Sequence, residues 1–426
     1  MLKQIIDVLE HSAATHYQIT KTTTKSHEFF FIRHDLDMNR CKEVTHYQVT
    51  VYVASEDKQY LGDASFEVMA NSTKEEIKAQ IDKGIYSAQF VKNPYFELLD
   101  SSEQVEIRSL ENPLVVAQDF IQVMQTIEET EEMYINSYEI FVNENDKQII
   151  NSKGVNVTYS YIDSMVEAVI NAKKNDTEIE LYRNYRIGTC NKEMLVEELQ
   201  QTMRIGVDKC IATNTQPLQD VDVVFTGSDA TRLFAYYTSN TSAKMKYQQI
   251  STLELDQPMT TEEIKGDTIT IKGVAYLENS SCNYPYDADG TLIQDKVLIE
   301  NNIPKNFWGN RRFSQYLQLE NASSLYNFVV VGGKQSKKEL LQLPYLEVVE
   351  FSDFQVDSMT GEFAGEIRLA YYHTKEGIQP FSGGSIAGSM QQVQQELWLS
   401  SEVKQYDHYV IPEVVRMKHV SITGIE

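Results

Sequence analysis

The sequence HYQVTVYVASEDKQYLGDASFEVMANSTKEEIKAQIDKGIYSA, residues 46–88, contains strand patterns followed by a helix pattern. Tyr47, Val49 and Val51 alternate with polar residues, as in a half-buried antiparallel strand. Ser72 and Glu75 have the spacing of a capping box, which marks the start of a helix. One face of that helix carries apolar residues at helical spacing: Ile77, Ile81, Ile85 and Ala88. The segment therefore predicts antiparallel strands closed by a helix.

The order of helix, strands and helix occurs twice in the first half of the chain. An amphipathic helix pattern at residues 1–11 precedes the first strands, and LVVAQDFIQVMQTIEET at 114–130 precedes the second set. The second set ends with the helix pattern NKEMLVEELQQTMRIGVDKCIA at 191–212. We therefore predict two related α+β blocks, residues 1–95 and 113–213. The segment VKNPYFELLDSSEQVEIRSLENP at 91–113 contains two Asn-Pro steps, which disfavour helix, so we interpret it as the linker region.

The remainder of the chain, residues 220–426, contains many short strand patterns separated by turn residues. Among them are VDVVFTG at 221–227, YNFVVVGG at 326–333 and EFAGEIRLAYYH at 362–373. Short strands at close spacing are typical of a closed or sandwiched antiparallel sheet. The predicted fold class is α+β, with two helix, antiparallel-sheet, helix blocks followed by a β-rich C-terminal domain.

Composition excludes several classes of function. The chain has 62 acidic and 38 basic residues, a formal net charge of −24, which opposes direct binding to nucleic acid. It contains no apolar run long enough to cross a bilayer and no leader pattern at its start, so we expect a cytoplasmic protein with no membrane contact. Its four cysteines form no C-x-x-C pair, which predicts reduced thiols.

The order of several motifs resembles the TldD/TldE (PmbA) family, whose members are named as modulators of DNA gyrase and as metallopeptidase-related proteins. These motifs are NPYFEL at 93–98, DVDVVFTGSDATRLF at 220–234, YPYDADGTLIQDKVLIENN at 284–302 and EFAGEIRLAYYHTKEGIQPFSGGSIAGSM at 362–390. The resemblance covers nearly the whole chain. It implies a dimeric cytoplasmic peptidase assembly that acts on unfolded or modified peptides. Because the chain is acidic, we expect any influence on gyrase to be indirect.

The chain departs from the catalytic branch of that family at the zinc site. That branch carries HExxxH on the helix after the VVF-type strand, and a later cysteine completes the site. The corresponding segment here, SDATRLFAYYTSNTSAKM at 228–245, has no histidine and no glutamate, and no cysteine follows Cys282. The resemblance therefore implies a TldE-like chain with no catalytic residue, no metal and no cofactor of its own, paired with a zinc-bearing TldD-type homologue.

Two alternatives to that function remain open at this point. The chain could be a self-sufficient metallopeptidase with displaced ligands such as His373 or His408. It could also be a peptide-binding homodimer without proteolytic activity.

Candidate substrate-binding residues come from two segments. The first is QPFSGGSIAGSMQQVQQ at 379–395, whose G-x-S-x-A step lacks a histidine placed beside the serine and whose glycines precede no phosphate-binding lysine. We interpret it as a backbone platform for an extended peptide or as a tight turn. The second is the tyrosine pair in the helix that corresponds to the zinc-binding helix of the catalytic branch. The candidates are Gly383, Gly384, Ser385, Gly388, Tyr236 and Tyr237.

Three further predictions concern side-chain clusters. The metal-ligand residue types at the N-terminal strands fit no zinc spacing, so we expect ordinary polar side chains: His27, His34, Cys41 and His46. Asp287 and Asp289 are interpreted as part of an Asp-Gly turn and not as a catalytic pair. The resemblance also implies a cavity that the two subunits of the dimer enclose. In the helix of the tyrosine pair, we expect the side chains turned toward that cavity to be Phe234, Tyr237 and Thr238.

Overall fold

The computed structural model describes residues 1–106, 108–320 and 322–425. The first block consists of α1 (Leu2–Glu10), β1 (His16–Ile32), β2 (Asp35–Ala54), β3 (Leu61–Val68) and α2 (Lys74–Ala88). The second consists of α3 (Pro113–Thr126), β4 (Met133–Asn151), β5 (Asn156–Lys174), β6 (Thr177–Ile187) and α4 (Lys192–Ile211). Each block therefore has one helix, three strands and one helix, the order that the sequence predicts.

The helix α2 begins one residue later than the capping-box spacing predicted. Thr73, and not Ser72, is the N-cap, and its hydroxyl oxygen accepts a hydrogen bond from the backbone N–H of Glu76 at 3.2 Å. The Glu76 carboxylate in turn accepts from the backbone N–H of Thr73 at 2.8 Å. The sequence NSTKEE contains two overlapping pairs with the capping-box spacing, Ser72–Glu75 and Thr73–Glu76. The helix that buries Ile77 and Ile81 uses the second pair.

The two blocks share one continuous antiparallel sheet. Its strand order is β3-β2-β1-β4-β5-β6, so the first strand of each block lies at the centre. β1 and β4 pair without interruption from Gln18 opposite Asn151 to Ile32 opposite Ser137. Separate sheets, as two independent blocks would have, are not what the structure contains.

The C-terminal half begins with β7 (Thr213–Asn214), β8 (Asp222–Phe225), α5 (Ala230–Asn240), α6 (Ala243–Tyr247), β9 (Ile271–Val274), β10 (Lys296–Glu300), β11 (Ile303–Pro304), α7 (Arg311–Tyr316), β12 (Asn327–Val330), α8 (Lys337–Leu340) and β13 (Tyr345–Val356). It continues with β14 (Glu362–Thr374), β15 (Gly377–Ser382), β16 (Ser385–Ser389), α9 (Met390–Val393), a 3₁₀ turn (Gln394–Glu396), β17 (Leu397–Leu399), β18 (Val403–Tyr406), β19 (Tyr409–Pro412), β20 (Val415–Met417) and β21 (Ser421–Thr423). This is the β-rich domain that the sequence predicts.

These strands form two further sheets around one core. One sheet has the order β11-β10-β9-β12-β19-β18, and the other runs β17-β20-β8-β13-β14-β15-β7, with β16 paired to β14 and β21 paired to β16. A single apolar cluster contains Val223 and Phe225 of the second sheet, Ile271 and Phe328 of the first, and Phe234 of α5. The helix α5 is therefore packed within the core shared by the two sheets.

The contact between Phe31 and Tyr138 gives a test of the shared N-terminal sheet. The two rings stack across the β1–β4 seam with centroids 4.4 Å apart, and both are almost fully buried. We expect Phe31→Ala to lower the free energy of unfolding by about 3–5 kcal/mol, measured by urea denaturation followed by circular dichroism. The control Phe90→Ala removes a ring that is 68% exposed and should change it by about 0.5 kcal/mol or less. Equal effects of the two variants would contradict a buried seam.

Candidate functional site

The helix α5 lies between two cavities and separates them. β8 places three buried residues, Val223, Val224 and Phe225, in the sheet immediately before the helix. The helix then buries Leu233 and Phe234 among the side chains of both sheets. Its remaining faces border the cavities, so the side chains that it presents there decide what chemistry either cavity supports.

The first cavity, which we call the interdomain cavity, has a volume of about 370 Å³. Its walls come from β6, α4, the N-terminal half of α5 and the β18–β19 turn: Arg183, Arg186, Glu198, Thr202, Thr231, Arg232, Ala235, Asp407 and His408 are among the lining residues. Arg232 is held in place by its hydrogen bond to the backbone oxygen of Phe354 at 2.6 Å. The α5 wall of this cavity thus offers a hydroxyl, a guanidinium and a methyl group.

The second cavity, which we call the glutamine cavity, has a volume of about 500 Å³. Its lining includes Tyr236, Tyr237, Asn240, Pro258, Met259, Thr260, Glu262, Gln391, Gln392, Gln394 and Gln395. The predicted tyrosine pair and the end of the predicted glycine-rich segment therefore meet at one cavity, although they are about 150 residues apart in the chain. Their role in substrate binding stays a prediction.

The glycines of residues 379–395 make close contacts within the chain's own fold. Gly383 and Gly384 have φ angles of 81° and 75° and connect β15 to β16. A Cβ atom would lie 2.1 Å from the Ile425 side chain at Gly383 and 2.1 Å from the Thr423 carbonyl oxygen at Gly384. At Gly388 it would lie 2.5 Å from the Phe363 ring. These contacts favour the tight-turn interpretation of the segment.

Ser385 is an ordinary strand residue in this structure. It begins β16, where it pairs with Glu366 of β14 and Thr423 of β21. No histidine is hydrogen-bonded to its hydroxyl group among the residues described. The peptide-binding role predicted for the four residues Gly383, Gly384, Ser385 and Gly388 stays untested, and none of them lines either cavity.

The predicted orientation of α5 is wrong for two of its three residues. Phe234 and Thr238 are almost fully buried and line neither cavity, and the Thr238 hydroxyl is 2.9 Å from the Tyr409 hydroxyl. Tyr237 borders the glutamine cavity but is also almost fully buried. Because sheets cover α5 on two sides, its most apolar face turns to the core, and the smaller or polar residues Thr231, Ala235 and Tyr236 face the cavities.

The histidines and the cysteine of the N-terminal strands do not form one cluster. His27 and Cys41 are opposite each other on β1 and β2, with Nδ1 and Sγ 3.2 Å apart. His46 contacts Glu67 and His34 contacts Glu129 instead.

Asp287 and Asp289 hold a turn together. Asp287 accepts hydrogen bonds from the backbone N–H groups of Asp289, Thr291 and Ser324, and Asp289 accepts one from the backbone N–H of Arg311. Burial raises the pKa of Asp287 to about 7, the charge of Asp289 adds to this effect, and the backbone donors oppose it. The carboxylates are occupied by backbone groups, as the turn interpretation requires.

One cluster of metal-ligand residue types was not found from the sequence. Cys282, Asp407 and His408 each place a ligand atom so that all three atoms lie within 4.8 Å of one another. Asp407 and His408 form the β18–β19 turn, with Asp407 in the left-handed region at a φ of 48°. Burial, followed by the charge of Asp407, raises the pKa of the Cys282 thiol, which therefore stays protonated near neutral pH when no cation is bound.

The displaced-ligand candidate His373 is separate from this cluster. Its Nε2 lies 2.9 Å from a carboxylate oxygen of Glu347, and its ring stacks on Tyr345. Of the two histidines named from the sequence, His408 is the one that belongs to a group of three potential ligands among the described residues, whereas His373 has one carboxylate beside it.

Comparison with known proteins identifies the C-terminal half. Residues 218–424 match the family described as the PmbA/TldA metallopeptidase C-terminal domain. An uncharacterized protein of Methanocaldococcus jannaschii is 28% identical over 166 residues, which are 36% of this chain. The chain spans only 40% of that relative's length in the match.

Three solved structures are similar over almost the entire chain. They are TldE from Thermococcus kodakarensis (15% identity, TM-score 0.75, covering 100% of both chains) and two putative modulators of DNA gyrase. The one from Thermotoga maritima has 16% identity and a TM-score of 0.74, covering 100% of this chain and 99% of the other. The one from Bacteroides thetaiotaomicron has 14% identity and a TM-score of 0.77, covering 99% and 98%. At these identities the likeness establishes a shared fold.

The hydroxyl group of Tyr237 gives a test of the packing around α5. It is buried and has no hydrogen-bond partner in the described part of the chain. We expect Tyr237→Phe to raise the free energy of unfolding by about 1 kcal/mol, because it removes an unpaired polar group. Tyr237→Ala should lower it by about 3–5 kcal/mol, because it leaves a cavity in the core. Denaturant unfolding measures both, and a clear loss of stability in Tyr237→Phe would show that the hydroxyl is hydrogen-bonded.

Proposed function

Because this chain belongs to the TldD/TldE (PmbA) family, whose C-terminal domain it carries at residues 218–424, we propose that it is a non-catalytic, TldE-like subunit. In this proposal it pairs with a zinc-bearing TldD-type homologue in a cytoplasmic peptidase that cleaves or matures unfolded or modified peptides. The described residues include no helix long and apolar enough to cross a membrane.

The composition of α5 carries this proposal. In the family's catalytic branch the helix after the VVF-type strand supplies two histidines and a glutamate, whereas Ala230–Asn240 contains no histidine, cysteine, aspartate or glutamate. Zinc needs nitrogen, sulfur or carboxylate ligands, and hydrolysis needs a base beside the bound water. The residues of α5 do not fit a zinc ion. The acid at its N-cap, Asp229, is desolvated, which raises its pKa, and its carboxylate lies 3.5 Å from Arg232.

The glutamine cavity supports a role in holding peptide. Its amide side chains, Gln391, Gln392, Gln394 and Gln395, both donate and accept hydrogen bonds, as the main chain of an extended peptide requires. Tyr236 adds a half-buried ring, and aromatic rings of this kind contribute strongly to binding at interfaces. Neutral amides and an aromatic ring favour binding that depends on the peptide backbone more than on the charge of its side chains.

A second candidate function is supported by the cluster on the other side of α5. Cys282, Asp407 and His408 offer three ligand types for a metal, so a self-sufficient metallopeptidase with divergent ligands is the alternative. This cluster lacks the glutamate that follows the first histidine in the family's HExxxH motif, and α5 contains no glutamate that could replace it.

Reconstitution of the pair tests the proposed function. We expect no hydrolysis of reduced, carboxymethylated casein by this chain alone and clear hydrolysis when an equimolar TldD-type homologue from the same genome is added. The activity of the pair should disappear with a chelator and when the glutamate of the partner's HExxxH motif is replaced by glutamine. Chelator-sensitive hydrolysis by this chain alone, lost in His408→Ala, would instead support the second candidate.

Replacement of Tyr236 tests the glutamine cavity. We expect Tyr236→Ala to weaken binding of a short fluorescein-labelled unfolded peptide by about 5–30-fold, the effect of losing one aromatic anchor. Fluorescence anisotropy measures this with the reconstituted pair, using the partner's glutamate-to-glutamine variant so that the peptide is not cleaved. The control Tyr182→Ala removes a tyrosine that is 55% exposed on β6 and lines neither cavity. Equal affinities of the two variants would exclude this cavity as the peptide site.

A further inference from the structure

We propose that Cys282, Asp407 and His408 form a binding site for one divalent transition metal of the zinc class. The site lies on the wall of the interdomain cavity, where Asp407 and His408 are lining residues, and it uses no residue of α5. It goes beyond the proposed function, which requires no metal in this chain, and it replaces the sequence-based expectation that the chain binds none.

The spacing of the three side chains suits a small cation. Ligand atoms around a tetrahedral zinc ion are about 3.3–3.7 Å apart, given bond lengths of about 2.0–2.3 Å. His408 Nδ1 and Asp407 Oδ2 are already 3.1 Å apart, and the three ligand atoms all lie within 4.8 Å of one another. Side-chain adjustments of about 1 Å would bring them to bonding distance.

The ligand types indicate which metals the site would select. A thiolate together with an imidazole favours zinc, cobalt or copper, whereas magnesium and calcium prefer oxygen ligands alone. Three protein ligands leave one position of a tetrahedral ion open, as in catalytic and exchangeable zinc sites. A water molecule or a ligand in the interdomain cavity would fill that position.

Among the described residues, no ion pair joins the Asp407 carboxylate to a permanently charged side chain. The Asp407 side chain is only 13% exposed, and its ion-pair partner is the neighbouring His408. The nearby Arg186 is bound to the Asp163 carboxylate at 2.8 Å, so those two charges largely cancel. A bound divalent cation would compensate both the Asp407 carboxylate and the thiolate that forms when Cys282 loses its proton.

The surrounding residues orient the Asp407 carboxylate. Ser281 donates to it twice, from its backbone N–H to Oδ1 at 2.8 Å and from its hydroxyl to Oδ2 at 2.8 Å. Gln405 Nε2 donates to the backbone oxygens of Glu278 and Asp407, at 2.7 and 2.8 Å, which ties the turn to the segment before Cys282. Such outer hydrogen bonds fix the direction of metal ligands and raise their affinity. The two segments are therefore held together before any metal binds.

Cobalt(II) titration of the purified, tag-free full chain tests this site. We expect one equivalent of Co²⁺ to bind with a thiolate-to-cobalt charge-transfer band, and one equivalent of Zn²⁺ to displace it. Cys282→Ser should abolish the band, and His408→Ala should weaken binding by at least about 100-fold. Ser281→Ala, which removes one outer hydrogen bond, should weaken it by about 10-fold. Zinc should also protect Cys282 from alkylation by iodoacetamide, read by mass spectrometry.

Matched controls separate the site from other thiols and imidazoles. Cys190→Ser removes another partly buried thiol, whose pKa burial raises to about 12, and His419→Ala removes an exposed histidine. Both should bind cobalt like the unmodified chain, and circular dichroism should show all variants folded. Absence of the band, or a band that survives in Cys282→Ser, would overturn the proposal. Neither result changes the expected hydrolysis by the reconstituted pair, so the two proposals fail independently.

Discussion

The burial of α5 between the two C-terminal sheets is the constraint on which both candidate sites depend. Leu233 and Phe234 fill the core that the sheets share, so the helix cannot rotate without exposing them. The direction of every other α5 side chain is thereby fixed. Thr231 and Ala235 border the interdomain cavity, and Tyr236 borders the glutamine cavity. A helix in this position can hold a metal only if ligands occur on those outer faces, and this chain has none there.

The elements of the fold could be predicted from the sequence because their signals are local. Apolar periodicity and caps act within a few residues, and an ambiguity between Ser72 and Thr73 moved the start of α2 by only one position. The joining of the two blocks had no such signal. β1 and β4 are separated by about a hundred residues, and each alternates polar and apolar residues as either a central or an edge strand would. The shared sheet follows from which strand edges meet, which only the tertiary structure determines.

The candidate sites show the same division between local and distant information. Tyr236 was found because a family resemblance directed attention to its helix, and the glutamine-rich segment stood out by composition. Their meeting at one cavity depends on how α5 and α9 pack, which neither segment encodes alone. Cys282 and His408 are 126 positions apart in the sequence and fit no known spacing of metal ligands. The sequence analysis therefore named Cys282 as the last cysteine and His408 as a possible displaced ligand, but it did not connect the two. The glycines of residues 383–388, in contrast, form a conspicuous local pattern in the sequence. In the structure they pack closely against Ile425 and Phe363.

The placement of polar groups around α5 differs between its two sides, and this difference has a functional consequence. On the glutamine side the lining groups are neutral amides, hydroxyls and apolar side chains apart from the Glu262 carboxylate, and the amides suit hydrogen bonding to a peptide main chain. On the interdomain side the lining includes Asp407, His408 and Arg186, and Ser281 donates two hydrogen bonds to the Asp407 carboxylate. A metal at that side and a peptide in the glutamine cavity would lie on opposite sides of α5, and a helix with its side chains is roughly 10–12 Å across. Such a metal would stabilise the β18–β19 turn and the wall of the interdomain cavity, and it would not reach a peptide bond on the other side of the helix. Metal binding by this chain is therefore compatible with a non-catalytic role in peptide hydrolysis.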